Sequence, residues 1–389
     1  MRPDSRAVHA GRELKARDPL APPIVQAAVH VYDDLDDYDA VAGGRRPGHV
    51  YARYSNDNTD MLASAVAELE CAEAGIAAAS GMAAIFTALL SFAPRPAPIA
   101  VTSDAYGVTM ALLRDELVPL GYEVRQVDTA DLDSLDRALR GAAVLHCETI
   151  TNPLCRVSDL EAVCRVAGGW GVPVLVDNTF ATPVLCRPLE LGAAAVMHSA
   201  TKYLGGHSDL LAGVLVGSRE LIARARQHLA HTGAALGPFE AWLALRGLRT
   251  LHLRMRRHSD NAIRIARCLA GLAGVEAVHH PLLAGSPYEA VARRLLPEGA
   301  GGMLAFDLAG GRPAVQEMVS RFRLVRFAAS LAGVETTISY PAITSHRDLT
   351  PEERLARGVT PGTVRVSAGL EDPADLTEDF ERSIASPRP

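Results

Sequence analysis

Two charged residues and one small-residue turn stand where apolar runs give way to polar ones. Asp177 closes VPVLVDN, Lys202 sits inside HSATKYLGGHSDLLAG (198–213), and Ser80-Gly81 opens SGMAAIFTALLSF (80–92). A carboxylate at the end of a buried strand is costly without a cationic or hydrogen-bonding partner. A helix opening on small residues leaves backbone N–H groups and the positive end of its dipole free, which suits a phosphate. HCETITNP (146–153) is a further strand end. Taken singly, each has an ordinary reading: a turn aspartate, a solvated lysine, a capped helix, an Asn-Pro turn.

Their order and spacing change that reading. A phosphate cradle, a strand-end carboxylate and a strand-end amine are the three anchors that pyridoxal phosphate needs. The lysine links to the aldehyde as a Schiff base, the carboxylate keeps the pyridine nitrogen protonated, and the helix start holds the phosphate.

Such residues must be positioned by alternating elements. PIAVTS, AAVLHCET, VPVLVDN, AAVMHS and LAGVLVGS read as short strands buried on both faces. Between two of them, SDLEAVCRVAGGWG reads as a helix with a Ser158/Glu161 capping box and a Gly168-Gly169 stop. Alternating strands and helices predict a mostly parallel sheet covered on both faces, with ligands at the carboxyl ends of its strands. Helical spacing begins at Thr59, after a stretch rich in Pro, Gly, Asp and Arg. The run LRGLRTLHLRMRRHSDNAIRIARCLAGL leads into a second unit of mixed α/β character. We therefore expect an N-terminal arm (1–60), a large cofactor-binding domain (61–250) and a smaller C-terminal domain (251–389), whose polar tail beyond Glu371 frays.

Composition narrows the field. The 389 residues are 48% hydrophobic, enough for a sizeable core, and the formal net charge of -6 is spread without blocks. This advertises no nucleic-acid surface, and the short basic cluster Arg254-Met255-Arg256-Arg257 reads as a solvated helix face. No apolar run reaches the roughly 18 to 20 residues that a membrane span needs. The opening Met1-Arg2-Pro3-Asp4-Ser5 lacks an apolar signal region, so a cytoplasmic location is expected. Six cysteines without a CxxC pair suggest buried free thiols, with neither a metal site nor disulfides.

The stretch from Val176 to Gly213 resembles the signature of the Cys/Met-metabolism family of pyridoxal-phosphate enzymes. The likeness begins at RAVHAG (6–11), continues through YARYSNDN and SGMAAI, and ends in VRVSAGLED (364–372). It implies the pyridoxal-phosphate-dependent transferase fold (α/β, fold type I, aspartate aminotransferase-like) and these roles. Lys202 would be the cofactor lysine and proton shuttle, and Asp177 the partner of the pyridinium. Ser199, Thr201 and the backbone at Gly81 and Met82 would bind phosphate. Tyr106 would stack on the ring and help activate the leaving group, and Asn152 would contact the ring hydroxyl side. Arg365, with Ser330 and Asn152, would clamp the substrate carboxylate. Tyr51 and Arg53 would reach the phosphate of a neighbouring subunit in a homotetramer, a dimer of dimers.

Departures from that pattern bear on substrate. Members acting on cystathionine commonly carry acids where this chain has Val50 and Ala329. A buried ammonium there would lack its counter-ion, a penalty of several kcal/mol. Val108 replaces the cysteine of methionine γ-lyases, Ala332 replaces a glycine, and Asp57-Asn58 alter the Y-x-R-x-x-N-P-T motif. The resemblance thus implies γ-elimination on a small L-amino acid with an uncharged distal group, a methionine or O-acyl-homoserine type. The alternative is a γ-replacement transferase (cystathionine γ-synthase or O-acyl-homoserine sulfhydrylase type), then a cystathionine or cysteine lyase. A non-catalytic scaffold is disfavoured by the intact Lys202, Asp177, Tyr106 and Arg365.

Overall fold

A computed structural model describes residues 1–11 and 18–384. Seven strands form the larger sheet: β1 (Ala74–Ala78), β2 (Pro98–Thr102), β3 (Glu123–Val127), β4 (Val144–Glu148), β5 (Val174–Asp177), β6 (Ala195–Ser199) and β7 (Gly213–Gly217). Their order is β1-β7-β6-β5-β4-β2-β3. Only β7 runs against its neighbours, so the carboxyl ends of β4, β5 and β6 and the chain leaving β1 meet on one side. The mostly parallel sheet expected from the alternating pattern is present.

Period-2 geometry sorts the strand residues between two cores. Leu175 and Met197 pack with Ala84, Ile85 and Leu89 of the helix Gly81–Phe92. Val174, Val176 and Val196 pack on the opposite face with Leu160 and Val163 of the helix Leu160–Gly169. With both faces covered, each fully buried leucine or valine contributes roughly 1.5–3 kcal/mol. A second sheet joins β8 (Val275–His279), β9 (Met303–Leu308), β10 (Arg326–Phe327), β11 (Thr337–Ser339) and β12 (Thr363–Ser367) in the order β10-β11-β12-β9-β8. The 20-residue helix Leu251–Ala270 leads to this sheet and buries Ile265 and Leu269 against it.

Several local expectations are corrected. The helix after β4 is capped by Asp159, which accepts from the Ala162 N–H; Ser158 instead donates its hydroxyl to the Glu148 carbonyl. Glu161 is drawn away to Arg294, so no capping box forms. That helix runs through Gly169, and the left-handed residue ending its turn is Gly171 (φ 65°). Among the described residues the tail beyond Glu371 does not fray: Pro373–Ile384 is a helix whose Leu376 and Phe380 are fully buried. Residues 12–17 lie outside the described chain; among the described residues before Asp57 there are two short helices, Pro3–His9 and Leu35–Ala42. Cys147, Cys155, Cys164 and Cys186 are buried free thiols, but Cys71 is exposed.

Candidate active site

Each strand end contributes one piece. β5 stops at Asp177, whose Oδ1 accepts the Thr179 N–H at 2.9 Å, turning the chain away so that the carboxylate faces the cavity. Thr179 Oγ1 in turn accepts the Ser199 N–H at 2.9 Å, tying the end of β5 to the end of β6. Ser199 and Thr201 flank the start of the Lys202 loop, and the Thr201 hydroxyl is locked to the Ala212 backbone. On the facing side, Ser80 caps the helix Gly81–Phe92 through the Ala83 N–H at 3.1 Å. The N–H groups of Gly81 and Met82 precede that bond and have no intrahelical partner.

The second sheet closes the site. Lys202 Nζ lies 2.7 Å from Ser330 Oγ. Burial, then the nearby Arg365 charge, pull the amine down from its ordinary 10.5 to about 8. Arg365, on β12, is buried and donates one nitrogen to Asn152 Oδ1 and another to the Ser330 carbonyl, both at 2.9 Å. Ser330 (φ 79°) and Ala332 (φ 69°) both take left-handed backbone that non-glycine residues rarely adopt. The conformation that a glycine would hold freely at 332 is thus kept with the methyl present, and the Ala332 N–H is fixed by Ser367 Oγ at 2.7 Å.

A cavity of about 870 Å³ lies between the sheets. It gathers Gly81, Met82, Tyr106, Val108, Asn152 and Asp177 with Ser199, Thr201, Lys202, Ala329, Ser330 and Arg365. Val50, Tyr51 and Arg53 are not among its lining residues. Arg53 folds back to donate to the Ala230 carbonyl at 2.8 Å, with its guanidinium over the Tyr51 and Tyr54 rings. Asp57 and Asn58 begin the helix Asp57–Glu70; buried Asn58 pins the chain at Pro23 and Val25.

The Cys/Met metabolism PLP-dependent enzyme family matches residues 4–385. The chain belongs to that family. It is 40% identical to the L-methionine gamma-lyase of Pseudomonas putida over 384 residues, covering 98% of this chain and 96% of the relative. It is 38% identical to the cystathionine gamma-lyase of Bacillus subtilis, covering 92% and 94%. A Campylobacter jejuni crystal structure described as an O-acetylhomoserine (thiol)-lyase superposes with a TM-score of 0.95 at 29% identity, covering 99% and 100%. That protein carries a pyridoxyl-lysine phosphate. This family enzyme therefore has the expected transferase fold and takes pyridoxal phosphate as cofactor.

The residues present fit the group. A β-carbon placed on Gly81 would come within 2.8 Å of Ser199 Cβ, so the cradle is open only because no side chain fills it. One placed on Gly213 would come within 2.1 Å of the Ser80 carbonyl, so the strand behind must also be bare.

Two residues of this neighbourhood escaped the sequence reading. Glu148, at the end of β4, is buried in the cavity wall and accepts the Tyr106 N–H at 2.6 Å. Its position inside HCETITNP was the available signal. Arg254 is not solvated as expected: it is 5% exposed and donates to the carbonyls of Tyr203 (2.6 Å) and Gly247 (2.7 Å), beneath the Lys202 loop. Its side chain thereby ties the loop carbonyl of Tyr203 to the end of the helix Pro238–Leu248.

Proposed function

We propose that the enzyme performs γ-elimination on a small L-amino acid with an uncharged distal group, releasing an α-keto acid and ammonia. The observation that carries this reading is the cavity wall beside the carboxylate clamp. Ala329 adjoins Ser330 there, and Val108 and Ile343 supply further apolar surface. Ala329 itself offers a distal ammonium no counter-ion, whereas a thioether or ester needs none there; the carboxylates Asp348 and Glu353 line the cavity elsewhere. The 40% identity to a methionine γ-lyase supports the same choice.

The residues divide the work as follows. Arg365, held flat by Asn152 and Ser330, forks the substrate carboxylate with its planar donors. Asp177 would hold a proton on the pyridine nitrogen, and the N–H groups of Gly81 and Met82 with Ser199 and Thr201 would hold the phosphate. Bound pyridoxal phosphate supplies the electron sink for a carbanion at Cα. Lys202 Nζ, brought down to about 8 by burial and Arg365, takes the Cα proton and returns it. Tyr106, whose pKa is raised by burial against the opposing pull of Arg365, keeps its proton and gives it to the departing γ group. Loss of a Cβ proton accompanies that departure, and water completes the release of keto acid and ammonia.

In this reading the chain divides at about 250 into a cofactor domain and a smaller domain. Tyr51 and Arg53 serve the phosphate of a neighbouring subunit in a cytoplasmic homotetramer. Their position outside the single-chain cavity is compatible with that. Among the described residues no helix is long and apolar enough to cross a membrane.

The test is a product assay on L-methionine, L-cystathionine, L-cysteine and an O-acyl-homoserine, each with and without an added thiol. Ketobutyrate from methionine or the acyl-homoserine, with cystathionine inert, is the expected result. A new thioether in place of ketobutyrate would move the enzyme to γ-replacement.

A further inference from the structure

Glu148 and Asp177 are register partners on the parallel strands β4 and β5, so two carboxyl groups stand side by side where those strands end. Asp177 has the Thr179 N–H and faces the pyridine position. Glu148 has a different pair of attachments. Its Oε1 accepts the Tyr106 N–H at 2.6 Å, and the Asn152 backbone amide also favours its charged form. Tyr106 comes from the loop after β2 and Asn152 from the loop after β4, so one side chain ties together two loops. Those loops carry the phenol and the amide that orients Arg365.

The Tyr106 peptide is gripped from the other side as well. A β-carbon on Gly107 would lie 2.5 Å from the Ser345 carbonyl, so the chain there runs between the Glu148 carboxyl and the wall 343–349 with no room to shift. Tyr106 is also the residue preceding the short helix Gly107–Ala111, and it makes no side-chain cap of its own. Glu148 is thus the acceptor for the N–H of the residue from which that helix starts. Burial, then the charge of Asp177, push the Glu148 carboxyl well above its ordinary range, and the Tyr106 N–H opposes this. A charge so poorly tolerated is not what the site needs from this residue; its reach is.

We propose that Glu148 is a positioning residue for the reaction, holding the Tyr106 peptide, and through it the phenol, over the cofactor site. The inference rests on the reading of Tyr106 as the acid for the leaving group. It commits to reach over charge, and two substitutions separate these. Glu148→Gln keeps the acceptor at the same reach and cannot ionise. Glu148→Asp keeps an ionisable carboxyl and draws the acceptor back by one methylene.

The experiment uses holoenzyme with whichever amino acid the product panel shows to be turned over. The readouts are kcat, KM and the visible circular dichroism of the bound cofactor, which reports the ring packed against it. Glu148→Gln is expected to stay within about threefold of the parent in kcat with its dichroism intact. Glu148→Asp is expected to lose about tenfold or more in kcat, with KM little changed and the dichroism weakened, as a misplaced group does. In a Tyr106→Phe background the kcat loss from Glu148→Asp should vanish, because the two residues act as a unit. Three results overturn the proposal: Gln impaired as much as Asp, both variants native-like, or additive losses in the double variant. If Tyr106→Phe alone leaves kcat unchanged, the acid role of Tyr106 falls instead. The dichroism contrast between Gln and Asp then still decides for or against Glu148.

Discussion

Lys202 Nζ donates to Ser330 Oγ at 2.7 Å, and that contact bridges the end of β6 in the large sheet to the segment before β11 in the small one. The amine and the carboxylate clamp are therefore set by the same interface. Arg365 takes the Ser330 carbonyl while Lys202 takes its hydroxyl.

Cofactor capture should follow the free-amine fraction of Lys202. Burial and Arg365 place its folded pKa at about 8, below the ordinary 10.5. Below that pH the amine is protonated and cannot attack an aldehyde; above it the attack is unhindered. The rate at which apo-protein gains visible absorbance on mixing with pyridoxal phosphate should rise with an inflection near 8. An inflection near 10 would contradict the buried setting. Lys202→Ala should fold, fail to trap the cofactor on borohydride reduction, and lose turnover by at least ~10²-fold.

Arg365→Lys should weaken the clamp although charge is kept. A lysine cannot donate at once to Asn152 Oδ1, the Ser330 carbonyl and a carboxylate in one plane. We expect kcat/KM to fall by roughly 10²-fold, about 2.7 kcal/mol, chiefly through KM. Steady-state kinetics with an unchanged cofactor spectrum would check this; a KM within twofold of the parent would remove Arg365 from the carboxylate site.

Replacing Arg254 by Met should be costly in stability. The guanidinium is pulled to about 10 by burial, yet its removal orphans the carbonyls of Tyr203 and Leu204 and takes one of the donors from Gly247. Each unsatisfied buried acceptor costs about 1–3 kcal/mol. A loss of about 3 kcal/mol or more is expected from the urea midpoint at constant slope. An unmoved midpoint would mean that the solvation lost by the buried cation cancels its hydrogen bonds.

Arg53→Ala tests the subunit reading. Dialysis followed by cofactor titration should show retention weakened by about tenfold, equivalent to about 1.4 kcal/mol, with the sedimentation of the variant matching the parent's. Equal retention with unchanged sedimentation would confine Arg53 to its contacts with Ala230, Tyr51 and Tyr54.

Legibility in the sequence followed how local each signal was. The central strands β2, β4, β5, β6 and β7 stand out because they are apolar runs ended by polar residues. β1 does not, because Ala74–Ala78 is alanine and glycine around one isoleucine, with little strand preference of its own. β3 hides for the opposite reason: Glu123, Arg125 and Gln126 give an edge strand the look of a loop. The C-terminal helix was legible after all in Leu376, Phe380 and Ile384 at fourfold spacing, but the polar residues between them masked the stripe. Arg254 lay within a basic cluster, and no composition rule says which of three arginines will find buried backbone carbonyls to bind. Glu148 was in plain view, yet its meaning depends on a register between strands some thirty residues apart.

The bare backbones at Gly81 and Gly213 set unequal rules for how sequences like this one can drift. At the phosphate end, any added side chain collides with Ser199 or Ser80, so variation there is closed off almost completely. At the opposite wall, Val108 and Ile343 are half-exposed and tolerate exchange at small cost in stability. A lineage built on this plan can therefore change its diet many times while its cofactor pocket stands still.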